Sequence, residues 1–343
     1  MANEFLKRVN AQINNSIIIT DEEIMAPHLI DWRGNFKGRA KAILMPTNTE
    51  MVSTIMQIAN DENQAIVPQG GNTGLVGGGI PNQTGESIIL SLKKMNSIIE
   101  FSPENKTITV QSGCILQDIH EIVENENLYF PLSLAAKGSC TIGGNLATNA
   151  GGLNVLRYGT MREQCLGLEI VLADGTIIKE LTPLIKNNTG YDLKNLFIGS
   201  EGTLGIITGA CLKLVSKPIS KITAIAVTKK FEHALVLLDR LQHHSDDQVE
   251  SFEIMPKTLL DIVYKQFPNI SQPINTDSGF ILFMEVSSSK LDSLESYNKG
   301  KWTLRNIMEY FLEDALKDNL LEDAVVASNE TQRKAFWAIR ENA

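Results

Sequence analysis

A chain of 343 residues with 43% hydrophobic content is long enough for roughly two domains with ordinary buried cores. Its 31 Lys and Arg against 40 Asp and Glu give a net charge of −9, and the basic residues are not gathered into a stripe, which argues against nucleic acid or an anionic bilayer and toward small molecules as partners. Cys114, Cys140, Cys165 and Cys211 lie far apart without a CxxC pair, which suggests neither a structural zinc nor a redox dithiol and leaves buried reduced thiols; the opening MANEFLKRVN has no apolar signal core and no later stretch reaches the ~18 apolar residues of a membrane span, so the expected compartment is reducing and cytoplasmic.

The stretch DWRGNFKGRA (31–40) is polar, aromatic and punctuated by glycine, and reads as a loop. AILM follows as a short strand ended by Pro46. Thr47, with Glu50 three residues later, makes a capping box for a helix whose apolar face is Val52, Ile55, Met56 and Ala59. A second strand, QAIVP (64–68), delivers the chain into PQGGNTGLVGGG (68–79), six glycines in twelve residues. A parallel strand–helix–strand unit with a right-handed crossover places that loop at the carboxyl end of its strand, where α/β sheets bind ligands. Two readings are open for it: a glycine-rich surface loop, or a nest of backbone N–H groups holding phosphate, with Asn72 and Thr73 adding polar contacts.

SIILSL (87–92) and TITVQSG (107–113) read as further strands, before a helix marked by Ile115, Leu116, Ile119 and Val123. Residues 131–160 form a second small-residue segment, with Gly138, Gly143, Gly144, Gly151, Gly152 and Gly159 among Ser139, Asn145, Thr148 and Asn149. LEIVLADGTIIKE (168–180) is a hairpin turning at Asp174-Gly175. A third polar, glycine-bearing stretch, NNTGYDLKNLFIGSEGTLGIIT, runs over 187–208. Near Pro218 the composition shifts to alternating strands and helices, a second α+β domain of two ferredoxin-like halves.

Neither GxGxxG nor GxxxxGK[ST] occurs, so the spacing excludes a nicotinamide Rossmann loop and a P-loop. Three glycine-rich segments far apart in sequence suit one long ligand extended across a domain. In their order, PQGGNTGLVGGG, PLSLAAKGSCTIGGNLATNAGG, RYG, LGLEIVLADGT and NNTGYDLKNLFIGSEGTLGIIT resemble the FAD-binding domain of vanillyl-alcohol-oxidase-type flavoproteins, within the branch of D-lactate, D-2-hydroxyglutarate and glycolate dehydrogenases. The resemblance runs from DWRG to FWAIRE. It implies an α+β fold: a PCMH-type (p-cresol methylhydroxylase) FAD-binding domain of two α/β subdomains over 1–217, then a ferredoxin-like cap domain over 218–343.

The same resemblance implies site roles. Pro68 enters the first loop, and Gly70, Gly71, Asn72, Thr73, Gly74, Gly77 and Gly78 would hold the FAD pyrophosphate through main-chain amides. Gly138, Ser139, Gly143, Gly144, Thr148, Ala150, Gly151 and Gly152 would line the flavin and ribityl side. Tyr158 and Gly159 join the cofactor set, and Glu201, Gly205 and Ile207 would close the pocket. Asn72 stands where some relatives attach FAD covalently through His, so the cofactor is expected to be held non-covalently.

Flavin carries the redox chemistry in such enzymes, while the protein positions the alcohol carbon near N5 and a base takes the hydroxyl proton. Arg340, in FWAIRE, is implied as the grip on the carboxylate of a D-2-hydroxy acid, a role that suits a planar guanidinium. The family continues past this motif into histidines and acids that bind a divalent metal and supply the base, whereas no His follows His244 here. His243 and His244 are expected to be solvated, and no metal ligand is assigned. The expected activity is FAD-dependent oxidation of a D-2-hydroxy acid to the 2-oxo acid. Electrons would pass to a quinone, cytochrome or electron-transfer flavoprotein. Alternatives are an FAD-binding fragment without turnover and a nucleotide- or phosphate-binding module without flavin. A homodimer is a candidate assembly that nothing in the sequence fixes.

Overall fold

The computed structural model describes residues 4–275, 279–290 and 302–343. Two compact units emerge: Met1–Gly152 with Gly159–Val215, and Leu153–Tyr158 with Ser216–Ala343.

The first unit holds two larger sheets. Strands β1 (Ile18–Ile19), β2 (Ala42–Leu44), β3 (Ile66–Gln69) and β4 (Ile88–Ser91) run in the order β1-β2-β4-β3. β4 pairs in parallel with both neighbours, so the strand–helix–strand unit leaves a gap between β2 and β3 that the later SIILSL strand fills. All four of its residues are buried, as a central parallel strand covered on both faces requires. Helix Thr49–Asp61 makes the crossover, burying Val52, Ile55, Ile58 and Ala59. Its cap lies one residue after the expected Thr47: Asn48 has extended backbone, and its side-chain oxygen accepts from Met51 N at 2.8 Å.

The second sheet contains β5 (Ile98–Ser102), β6 (Thr107–Gln111), β8 (Cys165–Val171), β9 (Ile177–Glu180) and β10 (Ile206–Lys213), ordered β5-β6-β10-β8-β9, with the short β7 (Leu128–Tyr129) outside it. Each pairing is antiparallel. The Asp174-Gly175 turn sets Val171 opposite Ile177, as the alternating pattern predicts. Phe130, Ile108, Val110, Leu116 and Val123 pack in one core, each large side chain contributing about 1.5–3 kcal/mol by leaving water. The four cysteines are free and buried.

Past β11 (Val215–Ser216), the second unit has one sheet: β12 (Ser220–Thr228), β13 (Val249–Pro256), β14 (Phe280–Ser288) and β15 (Asp323–Val326), ordered β13-β14-β12-β15 and antiparallel throughout. This is a single ferredoxin-like order, with helix Lys257–Gln266 inserted between β13 and β14, rather than the two halves expected. The sheet is apolar on both faces. Ala224 and Ala226 face a core with Leu237, Phe311 and Leu312, while Ile225 and Val227 face one with Phe283, Phe336 and Ile339. Among the described residues one sheet thereby serves four helices, where two halves would have needed two sheets.

Candidate cofactor site

In the first unit the three glycine-rich segments meet. Gly71 lies so close to the second segment that a Cβ there would stand 2.1 Å from Ser139 O, and a Cβ on Gly70 would stand 2.4 Å from Thr141 Oγ1. Thr141 caps the short helix Ile142–Ala147, whose end receives the third segment: Gly199 N donates to Leu146 O (3.0 Å) and Glu201 N to Ala147 O (2.9 Å). Glu201 and Gly202 return to the first loop, against Gly78 and Pro68 respectively. Arg162 fastens the third segment by donating to Ile198 O at 2.6 Å and to Asn195 O. Asn149 ties the second segment by accepting from Thr160 Oγ1 (2.9 Å) and Arg162 N (3.0 Å).

The loop is rich in free donors. No amide from Gly70 to Gly79 donates to a protein acceptor among the described residues, and Gly138, Gly151 and Gly152 likewise donate none. Thr73 is half-buried and Gly74 exposed, so this part of the loop lies at the protein surface. A run of unpaired N–H groups on a glycine-dense backbone is a donor set for an anion such as a pyrophosphate. Asn72 takes a left-handed φ of 58° and turns its side chain away from that role, donating from Nδ2 to Ile30 O at 2.9 Å. Beside Gly71 and Asn72 opens a cleft of about 500 Å³ whose lining also includes Trp32, Arg33 and Lys93. Sequence reading passed over Trp32 and Arg33 because DWRG looked only like an irregular loop, and over Lys93 because it follows a strand with no motif around it.

Other candidates are placed differently. Thr148 Oγ1 donates back to Gly144 O (3.0 Å), and Gly143 packs on Ser112. Ala150 N donates to Asn145 O (2.8 Å). The Ile207 side chain is core, paired across to Ile170, and a Cβ on Gly205 would press on Ile170 Cγ2 at 2.9 Å, so neither offers a side chain to a pocket. Gly159 takes a φ of 75° against Glu163.

Tyr158 belongs to the second unit. Its hydroxyl lies 3.3 Å from Glu250 Oε1, and burial followed by the Glu250 charge pushes its pKa up to about 12. There two buried carboxylates meet half-buried cations: Lys221 Nζ is 2.7 Å from Glu250 and 3.6 Å from Glu285, and Arg333 is 3.0 Å from Glu285. Arg340, on helix Glu330–Glu341, sets Nε 2.9 Å from Glu253 Oε2 of β13 at an angle outside hydrogen-bonding geometry, and its terminal nitrogens make no hydrogen bond among the described residues. His243 is exposed, while His244 is half-buried against Tyr310 and Phe311. No group of His, Cys, Asp and Glu among the described residues could hold a metal ion.

Comparison with known proteins agrees with this architecture. Residues 40–180 match the FAD binding domain and residues 217–343 the C-terminal domain of FAD-linked oxidases. A probable mitochondrial D-2-hydroxyglutarate dehydrogenase of Oryza sativa subsp. indica is 39% identical over 96% of this chain, and the mitochondrial D-2-hydroxyglutarate dehydrogenase of Danio rerio is 38% identical over 94%. The chain spans 57% and 58% of their respective lengths. The fold is that of p-cresol methylhydroxylase, with a TM-score of 0.72 at 17% identity, covering 98% of this chain and 68% of that one. These relatives overturn the cytoplasmic expectation: they are named mitochondrial, and the features behind it, a polar opening and no long apolar run, do not locate a chain.

Proposed function

This chain belongs to the FAD-linked oxidases, and we propose that it is the FAD-holding part of a dehydrogenase that oxidises a D-2-hydroxy acid, of the D-2-hydroxyglutarate or D-lactate class, to the 2-oxo acid. The observation that carries the cofactor assignment is the loop from Gly70 to Gly79, whose amides are unpaired and whose flanks are built from the other two glycine segments. These amides and those of Gly138, Gly151 and Gly152 fit the diphosphate of FAD. The Asn72 side chain is engaged by Ile30 O and is an amide, so the cofactor is held without a covalent bond at this position.

When bound, the flavin supplies the hydride acceptor. The chain's own residues supply binding. Arg340 offers two terminal nitrogens to a substrate carboxylate while Glu253 faces its Nε. No base is assigned, since no histidine follows His244. Electrons leave for an external acceptor: a quinone, a cytochrome or an electron-transfer flavoprotein. The four buried, reduced thiols suit a reducing compartment such as the mitochondrial matrix. A second reading is favoured by the 57% coverage of the rice relative: this chain by itself binds FAD without turning over.

An anaerobic visible spectrum of the purified chain, recorded before and after addition of D-2-hydroxyglutarate, D-lactate and glycolate, tests both. A flavin band bleached by one acid establishes the dehydrogenase; a band that never bleaches supports the second reading; no band after incubation with FAD refutes the cofactor assignment.

A further inference from the structure

Gln69, the last residue of β3, is 2% exposed, and His28, in the turn before the DWRG loop, is 7% exposed. Gln69 Nε2 donates to His28 O at 2.9 Å and to Gly79 O at 2.8 Å. Both amide hydrogens are thereby used, so Gln69 Oε1 is left as an acceptor, and it faces His28 Nδ1. This network assigns the imidazole proton to Nδ1. Burial lowers the pKa of His28, so the ring is neutral when it donates.

One buried side chain thus joins the two ends of the glycine loop, Gln69 and Gly79, and anchors both to residue 28. Higher in the loop, Asn72 Nδ2 reaches the same strap at Ile30 O (2.9 Å). Between these two points the amides of the loop have no protein acceptor among the described residues, and the backbone bond its carbonyls do receive, Ile80 N to Gly77 O at 2.9 Å, closes only a turn at the loop's end. A glycine run of this density, left unheld, would lose much conformational entropy on closing around an anion.

We propose that His28 and Gln69 are positioning residues for the cofactor, which clamp residues 69–79 into an anion-receiving shape before FAD arrives; this rests on the reading of that loop as the pyrophosphate site. Neither residue touches the ligand in this role. Their effect is on the loop that does.

The test compares the wild-type chain with Gln69→Leu, His28→Leu and His28→Asn. The Asn amide nitrogen can stand where the ring Nδ1 stands and donate the same bond. FAD affinity is read by quenching of flavin fluorescence. Loop order in the FAD-free protein is read by limited subtilisin digestion, with cut sites located by mass spectrometry, since held loops resist nicking. Gln69→Leu and His28→Leu are expected to bind FAD about tenfold or more weakly and to be cut faster between residues 70 and 79, while His28→Asn stays within about threefold of wild type. Unchanged affinity and cutting in His28→Leu overturn the proposal, as does an equal loss in His28→Leu and His28→Asn. If Gln69→Leu does not fold, the two His28 variants decide alone. If wild type binds no FAD, the cofactor reading fails by itself, and the digestion still judges the clamp: faster cutting in His28→Leu than in His28→Asn supports it, and equal cutting refutes it.

Discussion

Gly71→Ala should break the meeting of the first two glycine segments. The new Cβ would stand 2.1 Å from Ser139 O and 3.0 Å from Cys140 Cα. Carbon–oxygen approaches in proteins settle near 3.3–3.6 Å, so the two segments must part by roughly 1 Å or more, and both walls are backbone that cannot swing aside as a flexible side chain could. Overpacking of this kind costs about 1–3 kcal/mol, and rigid backbone on both sides places this case at the upper end. In a unit of this size the melting temperature should fall by roughly 5–10 °C, and FAD should bind about tenfold or more weakly, because the donors of two segments no longer converge. Gly74→Ala is the control. Nothing lies within 4 Å of a Cβ there and its φ is not left-handed, so the FAD-free protein should melt at the wild-type temperature or slightly above it. Thermal melting of both FAD-free variants with a flavin titration is the assay. If Gly71→Ala melts within about 1 °C of Gly74→Ala and keeps wild-type FAD affinity, the packing argument is refuted.

Three further outcomes are expected. Lys221→Met should destabilise the second unit by about 3 kcal/mol in urea unfolding followed by tryptophan fluorescence, because it strips a partner from two buried carboxylates; the figure is at the low end of the ~3–5 kcal/mol range since Arg333 and Trp337 still serve Glu285 and Arg157 still faces Glu250. A loss below about 1 kcal/mol counts against a working ion network. Glu169 in the first unit is buried, which raises its pKa, yet bonds from Thr49, Lys179 and Thr208 outweigh burial and hold it below the ordinary 4.5. A depressed folded pKa stabilises above the unfolded value and loses that contribution as pH falls through the folded one, so the melting difference between wild type and Glu169→Gln should be full at pH 7 and close below about pH 4.5; a difference that stays constant down to acid contradicts it. Arg340→Lys should weaken 2-oxo acid binding, followed by perturbation of the flavin spectrum, by about 100-fold, because an ammonium cannot face Glu253 and a carboxylate with separate planar nitrogens. Equal affinity would remove Arg340 from the substrate site.

What was legible in the sequence was local. The β8–β9 hairpin follows from an Asp-Gly turn between β-branched runs, and helix Thr49–Asp61 from its apolar spacing, because each pattern is written within one element. Strand order was not local: nothing in SIILSL says that it slides between β2 and β3, since a parallel neighbour is chosen by a crossover and not by the strand's own residues. The same limit hid His28 and Gln69, 41 residues apart, and the pairing of Arg340 with Glu253. Motif matching also does not tell a side-chain role from a scaffold role. Ile207 sits in a conspicuous glycine-bearing motif, but its side chain fills the core. Tyr158 lies within the second glycine segment, and it folds with the second unit on Glu250.

The charge balance of the chain explains why the proposed anion site is made of backbone. A diphosphate brought to a protein of net charge −9 meets overall repulsion, and the basic residues lining the cleft beside Gly71, Arg33 and Lys93, lie outside the loop itself. Amides answer this without needing a compensating lysine, because each N–H is a fixed partial positive charge that needs no counter-ion when FAD is absent. Their drawback is entropy, since only a glycine-dense loop can turn several N–H groups toward one point, and such a loop is floppy unless held. The three flanking supports, Gln69 at the base, Ile30 O on Asn72 and the Ser139–Cys140 backbone under Gly71, remove that freedom from separate directions. It follows that loss of any one support should weaken FAD binding while adding a lysine to the loop should not restore it, since the lost quantity is order and not charge.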